Sequence, residues 1–425
     1  MRGVLWLLAL FTIAVVSALF AGNNHNTVTL FWEPYRIDAS FNLVLVVLVL
    51  LFVVLHLALN GISSLLRIPQ QARQWRLNHR ERAMYGALLD ALALLVSGRF
   101  VRARKAAERV LEMDDAVERS GEKLPYGPRL RAMTHLIAAE SAHAVQDRGT
   151  REVHLQQALQ HSNGRYGQDT FDGVRLRAAR WSFDDRNAAQ SLQWLNQLPP
   201  GTARRTLALR LRFKSARLAG DARVALETAR QLTKHRAFSE LAGASIARGL
   251  ALEMLQTTHD PAQIQRIWSA LEDTERSMPD VALQAAQRLL SYGGSPEMVQ
   301  EWLQPVWEAA ISDSRKVSEV QRLQLVSVLE AVFAQSLSPE DTAWLRRLEL
   351  AQQQQPGEAA WQYLAGVACM HLQLWGKAQQ LLKQAVSGLQ DAGLRRRAWG
   401  LLGQMAENRQ DTAAALLAYK EAAKS

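Results

Sequence analysis

Between Phe41 and Leu59 the chain carries sixteen Val, Leu or Phe residues and no charge. A helix needs about 20 apolar residues to cross hydrocarbon. Each central Leu, Val or Phe favours insertion by about 0.3 to 0.6 kcal/mol. Their sum outweighs His56 and Asn42 by several kcal/mol, as an order of magnitude. The segment Asn42–Leu66 is therefore expected to span a membrane, and no soluble core can claim it. Gly3 to Ala21 is a second uncharged stretch, with eleven Val, Leu, Ile or Phe residues. Only Arg2 precedes it and Val16-Ser17-Ala18 is a poor cleavage site, so it reads as a retained span rather than a signal peptide. Residues 1–66 are thus expected to form a two-span anchor around a short external loop, 22–40. Within that loop residues 27–32 alternate, Glu33-Pro34 turns the chain, and Tyr35 to Asp38 returns, as in a small hairpin with interfacial aromatics.

Charge fixes the expected orientation. The formal net charge is +10, and residues 67–109 hold ten Arg or Lys against Glu81, Asp90 and Glu108. Arg67, Arg73, Arg76, Arg80 and Arg82 follow the second span directly, whereas the loop before it has only Arg36. Lys and Arg concentrate on the cytoplasmic side of spans. Both termini are expected there, with 67–82 a basic juxtamembrane segment on anionic lipid. A basic block beside a span favours lipid over nucleic acid, and no nucleic-acid partner is expected.

From residue 83 to 425 the character changes to Ala, Leu, Gln and Arg at helical spacing, broken at intervals by Gly and Pro. Examples are Gly121, Pro125, Pro199-Pro200, Pro261, Pro279, Gly293-Gly294, Pro339 and Pro356. Short helices between regular breaks predict an α-solenoid. The end of the chain has the spacing of a tetratricopeptide repeat (TPR). Trp399, Leu402, Gly403 and Ala406 are followed by Ala415, Tyr419 and Ala422. Gly403 and Ala415 are small where two helices press closest, and Trp399, Leu402 and Tyr419 fill the gap to the next pair. The unit before repeats the design with Gly366, Cys369, Trp375, Ala378, Leu382 and Ala385. Fragments at Gly98-x-Phe100 with Ala103 and Ala107, and at Gly220-Asp221-Ala222 with Ala225 and Ala229, match the second half of a repeat. Residues 237–350 give no readable register. The fold class is therefore all-α: two N-terminal transmembrane helices, then a TPR-like solenoid over 83–425. Trp361, Trp375 and Trp399 are expected in packing positions.

Catalytic signatures are missing from the sequence. It has no G-x-G-x-x-G, no phosphate-binding G-x-x-x-x-G-K-[ST] loop and no H-E-x-x-H. The single Cys369 can build no disulfide or zinc cluster and is expected to be packed. His154 and His161, two turns apart, share a helical face only if their helix ends at Asn163-Gly164, and are read as surface or groove residues. His56, an ionisable group within a span, is the candidate haem ligand. No catalytic residue, metal site or bound cofactor is expected.

Taken in order, these residues resemble a known family. The features are the apolar span from Leu43 to Leu66, Leu65-Leu66-Arg67-Ile68-Pro69 with its basic continuation, Tyr85-Gly86, and Gly98-Arg99-Phe100 leading to Ala103. The chain is similar to the HemY family of proteobacterial inner-membrane proteins, associated with haem biosynthesis. The resemblance implies a non-enzymatic scaffold for late protohaem enzymes, acting through protein–protein contacts. A haem or porphyrin carrier and a general envelope-assembly adaptor are the alternatives. The unrelated flavin-dependent oxidase of the same name requires an N-terminal Gly-rich dinucleotide fold, and this chain has an apolar segment there.

Overall fold

The structure is a computed structural model that describes residues 11–18, 26–122, 124, 126–162, 168–313, 315–337 and 343–424. Two compact units emerge, Met1–Ser162 and Asn163–Ser425.

Unit 1 begins with helix α1, described over residues 11–18. The rest of the expected first span, Gly3 to Ala21, lies outside the described residues. Strands β1 (Thr27–Trp32) and β2 (Tyr35–Ser40) then pair antiparallel, Thr27 against Ser40 through Trp32 against Tyr35. Glu33-Pro34 forms the two-residue turn. Ser40 closes the hairpin and caps the next helix, its hydroxyl accepting from the Leu43 amide at 3.3 Å.

That helix, α2, runs unbroken from Phe41 to Val96, 56 residues. At 1.5 Å per residue it is about 84 Å long. Its stretch Phe41–Gly61 is the one helix among the described residues long and apolar enough to cross a membrane. One such span is present there, not the two expected. Every large apolar side chain from Leu43 to Leu59 is exposed in the isolated chain except Val44, a surface that water does not tolerate but lipid does. The expected boundaries at 66/67 and 82/83 both fall inside α2. The reason is compositional: residues 70–96 are rich in Gln, Ala, Arg and Leu, all good helix formers. The last third of α2, from Leu77, packs through Met84 and Ala91 onto α3 (Phe100–Arg119) and α4 (Gly127–Ala144), and α5 (Arg148–Ser162) packs on α4.

Unit 2 comprises α6 (Gln168–Asp184), α7 (Ala188–Asn196), α8 (Pro200–Ala203), α9 (Thr206–Ala219), α10 (Ala222–Lys234), α11 (Glu240–Gln256), α12 (Pro261–Ala270), α13 (Asp273–Arg276), α14 (Pro279–Ser291), α15 (Pro296–Ser312), α16 (Glu319–Ser336), α17 (Ala343–Gln354), α18 (Ala359–His371), α19 (Trp375–Gly388), α20 (Ala392–Glu407) and α21 (Thr412–Lys424). Pro200, Pro261, Pro279 and Pro296 sit in first turns, where proline's missing N–H costs nothing. Among the described residues of this unit, substantial contacts join helices close in chain order. Pairs such as α6/α7, α9/α10, α14/α15, α18/α19 and α20/α21 are closed by short turns. Alternate helices also meet, α6 with α9, α11 with α14, α14 with α16, α16 with α18 and α18 with α20. This is the layout of a TPR-like array: all-α, repeated pairs, one row made of each pair's first helix. A continuous apolar core runs from Ala216 to Ala418.

Four of the turns within pairs share one device. A residue in left-handed conformation follows the first helix, and a short polar residue then caps the second. Gly220 (φ +72°) precedes Asp221, which accepts from the Val224 amide at 3.0 Å. Gln146, Arg186 and Gln410 occupy the equivalent place, at φ 62°, 62° and 64°, before Asp147, Asn187 and Asp411.

Candidate functional site

Three regions hold the residues that matter for function. The first is α2 from its apolar stretch to Arg82. Arg67 and Arg73 lie on its helical backbone, and Arg76, Arg80 and Arg82 are exposed. Residues 73, 76 and 80 share a face at i, i+3 and i+7. Arg80 approaches Glu122 at 3.9 Å, a loose surface pair worth little. His56 lies within the apolar stretch, its Nε2 2.9 Å from Asn60 Nδ2 and its ring stacked on Phe52. The imidazole is thus engaged along its own helix.

The second region lies between α3, α4 and α5. His135 and His154 meet Nδ1 to Nδ1 at 2.9 Å, and His161 stacks on His135 with ring centroids 5.9 Å apart. Burial, then the neighbouring His154, His161 and Arg131, push His135 down from 6.5 to about 4. Burial also lowers His154 and His161. The trio is therefore neutral near pH 7. Beside it Arg131 gathers Asp114 at 2.5 Å, Glu118 at 2.8 Å and Asp115 at 3.4 Å. Arg104 holds Asp147 at 2.9 Å, tying α3 to the turn before α5. Helix α5 is described to Ser162, so His154 and His161 do share a face. No local sequence pattern signals that His135 joins them from α4. Among the described residues, no three His, Cys, Asp or Glu side chains are arranged to hold a metal ion.

The third region is the row of first helices in unit 2. Polar pairs link its helices. Arg217 on α9 binds Glu253 on α11 at 2.5 Å. Arg248 on α11 pairs with Asp280 on α14, which also takes Gln321 on α16. Arg322 on α16 pairs with Glu358 at the start of α18. Tyr363 on α18 donates to Glu330 on α16 at 2.6 Å, and Arg397 on α20 reaches the same carboxylate at 3.4 Å. Burial, and then the charge of Glu330, push the Tyr363 phenol up.

The repeat residues expected from sequence occupy the last two pairs. A Cβ on Gly403 would stand 2.7 Å from the Tyr419 ring, and one on Gly366 would stand 2.8 Å from Leu382 Cγ. These glycines mark the close approaches of α20 to α21 and of α18 to α19. Ala378, Ala415 and Leu402 are buried, Trp399 packs against the core, and Ala422 is half-buried. Trp361 is fully buried, and so is Cys369. Trp375 is not in the core: it opens α19 and is 43% exposed, because the first residue of a helix points past the packed face. Tyr419, 37% exposed, covers Gly403 from the edge.

Residues 27–146 match the family described as HemY protein N-terminus. The match runs from the hairpin through α2 and α3 to the turn after α4. That segment is similar to the N-terminal domain of the HemY family. No curated protein matches it in sequence. Solved structures similar to it include yeast Tom70 (9% identity, TM-score 0.28, 75% of this chain and 62% of that one). Naa15/Naa10 bound to HypK-THB follows, at 13% identity and TM-score 0.24, covering 76% and 56%. The APC/C hetero-tetramer Cut9-Hcn1 is matched at 14% identity and TM-score 0.27, covering 78% and 64%. The chain spans less than two thirds of the length of each of these matched chains. The matched segment contains the apolar stretch, the basic segment and two of the three helices around the histidine trio.

Proposed function

We propose that this HemY-domain chain is a non-enzymatic, membrane-tethered adaptor whose TPR-like helices gather enzymes of late haem synthesis at the bacterial inner membrane. The supporting observation is the continuity of α2. One helix leaves the apolar stretch at Gly61 and reaches the first packed pair without a break. The first helix pair is therefore coupled to the anchor by continuous helix of about 24 Å between Gly61 and Leu77, rather than by a loop. Confinement at the surface raises the effective concentration of partners acting there, so modest affinity suffices. Porphyrin intermediates are poorly soluble, and proximity limits their escape. The arginines of α2 support a cytoplasmic side for the repeats and both termini, where anionic headgroups would meet them.

Deletion of the gene tests the proposal. Porphyrin intermediates are expected to accumulate while each late enzyme, assayed separately, keeps its activity. Purified protein converting a porphyrin unaided would overturn the adaptor reading, and normal porphyrin levels in the deletion strain would sever the link to haem.

A further inference from the structure

Beyond the span, helix α2 is apolar on two opposite faces. From Ala83 to Val96 its only charge is Asp90. One face, with Met84, Leu88, Ala91 and Leu95, packs on α3 and α4. The other carries Tyr85, Leu89, Leu92 and Val96, and all four are exposed, Leu89 to 64% and Val96 to 82%. Gly86 and Ala93 lie along the same stripe, with open space over Gly86. A helix that is apolar all round is a buried helix. The end helix of a repeat array, moreover, needs a polar outer face to stay soluble. Lipid does not cover this stripe: at 1.5 Å per residue Tyr85 stands about 36 Å along the helix from Gly61, outside the hydrocarbon.

We infer that two copies of this chain pair in parallel through α2, the stripe of one copy against the same stripe of the other. Tyr85, Leu89, Leu92 and Val96 have the spacing of heptad positions d, a, d and a, the seam of a left-handed coiled coil. Carried back by sevens, the register puts Leu43, Leu50 and Leu57 at d and Val47 and Val54 at a, the combination that favours two parallel strands. Between these stretches the seam turns polar at Ser64, Gln71 and Asn78, where the helix has left the lipid. Charge agrees with the register. Arg82 falls at a, beside the g-position Glu81 of the other copy, and the twofold axis repeats that pair. A shared membrane holds both copies the same way up, so the pair along α2 is parallel. The exposed stripe covers roughly two heptads, fewer than the three or four that a coiled coil needs, and the apolar heptads of the span supply the rest. In lipid, apolar side chains gain little from pairing, so the water-exposed stripe supplies the driving force. The inference rests on the reading of α2 as a membrane anchor and adds a second copy to it, so that one assembly holds two repeat arrays and binds partners bivalently.

The test uses the full chain, in its own membranes and purified in detergent. Leu89→Cys and Val96→Cys are made singly, with Asp90→Cys as the control off the seam. Native Cys369 is buried, and wild type reports its background. Mild oxidation should link Leu89→Cys and Val96→Cys into covalent dimers severalfold more than Asp90→Cys. Disulfides between identical residues at both positions arise only in a parallel pair. In detergent the wild-type chain should have the mass of two copies. Leu89→Glu with Val96→Glu sets like charges on the axis and should weaken the dimer at least about tenfold. Both side chains are exposed, so the variant folds, as circular dichroism would check. A wild-type chain with the mass of one copy overturns the inference. So does crosslinking at Asp90 equal to that at Leu89, or a dimer unchanged by the glutamates. Crosslinks from Leu89→Cys to a different protein assign the stripe to that partner and overturn it as well. A chain that leaves the membrane fraction would sink the anchor reading instead, since the oxidation still reports pairing; the porphyrin phenotype tests the adaptor reading separately.

Discussion

Between α3, α4 and α5 the space is filled by imidazoles and by Arg131 with its three acids. In Asn163–Ser425 the corresponding space around α15 is filled by indoles. Trp268 stacks on Trp302 at 4.6 Å, and Trp307 meets Trp344 and Trp361 edge-on at 5.5 and 4.9 Å. Two of the indole N–H groups find acceptors. Trp344 donates to Gln300 at 2.8 Å and Trp361 to Gln355 at 3.0 Å. Both units stack short helices, yet one depends on protonation state and the other on volume. A buried neutral imidazole stabilises only while it stays neutral, whereas an indole packs the same way at every pH.

The largest expected effect follows from volume. Trp307 is 3% exposed and contacts two other indoles, so Trp307→Ala leaves a cavity that the neighbours cannot close. The expected cost is about 3–5 kcal/mol. Hydrogen exchange should show the loss of protection in 163–425, with 77–162 unchanged. Equal loosening of both units would break the comparison.

Protonation gives the next effect, in the other unit. His135 titrates at about 4 in the folded chain against 6.5 ordinarily. Its folded value is depressed, so its contribution is fully present above about 6.5 and is lost as pH falls towards 4. The full loss is at most about 3 kcal/mol. The groups facing it are His154, His161 and Arg131, with Asp114, Glu108 and Arg104 behind. His154 and His161 shift the same way and add to the trend. Unit 2 has His371, also lowered by burial, so it loses less. Exchange measured from pH 7 to pH 4.5 should show 77–162 loosening first, and His135→Leu should flatten that dependence. A pH-independent unit 1 would mean that the trio is solvated.

What could be read from the sequence follows the same physics. The hairpin over 27–40 was legible because alternation and a turn pair are local signals. The span was legible because lipid demands composition, not pattern. The pairs at Gly98 and Gly220 announced themselves because glycine takes the left-handed residue of the turn. The pairs closed by Gln146 and Arg186 use the same backbone without glycine, and nothing in their side chains signals it. Residues 237–350 were illegible because Trp268, Trp302, Trp307 and Trp344 do the packing done by Gly366 and Gly403 in the last pairs. There, α12 and α13 are also too short to show a period, at 10 and 4 residues. The His135 trio needed the register of α4 on α5, which no local pattern supplies.

The smallest effect distinguishes the two glycine contacts within unit 2. A methyl on Gly366 meets Leu382 at Cγ and Cδ2, and its backbone nitrogen at 3.3 Å. Leu382 is fully buried and has nowhere to move. Gly366→Ala should therefore cost about 1–3 kcal/mol, as overpacking does in a filled core. A methyl on Gly403 meets only the Tyr419 ring, which is partly exposed and free to swing outward on its own side-chain torsions. That movement gives up the hydrogen bond from the Tyr419 hydroxyl to Glu407 at 3.0 Å, itself exposed and weak. Gly403→Ala should cost less than about 1 kcal/mol, partly offset by the better helix propensity of alanine. Urea unfolding of the two variants checks the order. If Gly403→Ala proves the costlier, Tyr419 is a fixed wedge between α20 and α21, and adding Tyr419→Leu to that variant should then restore most of the stability.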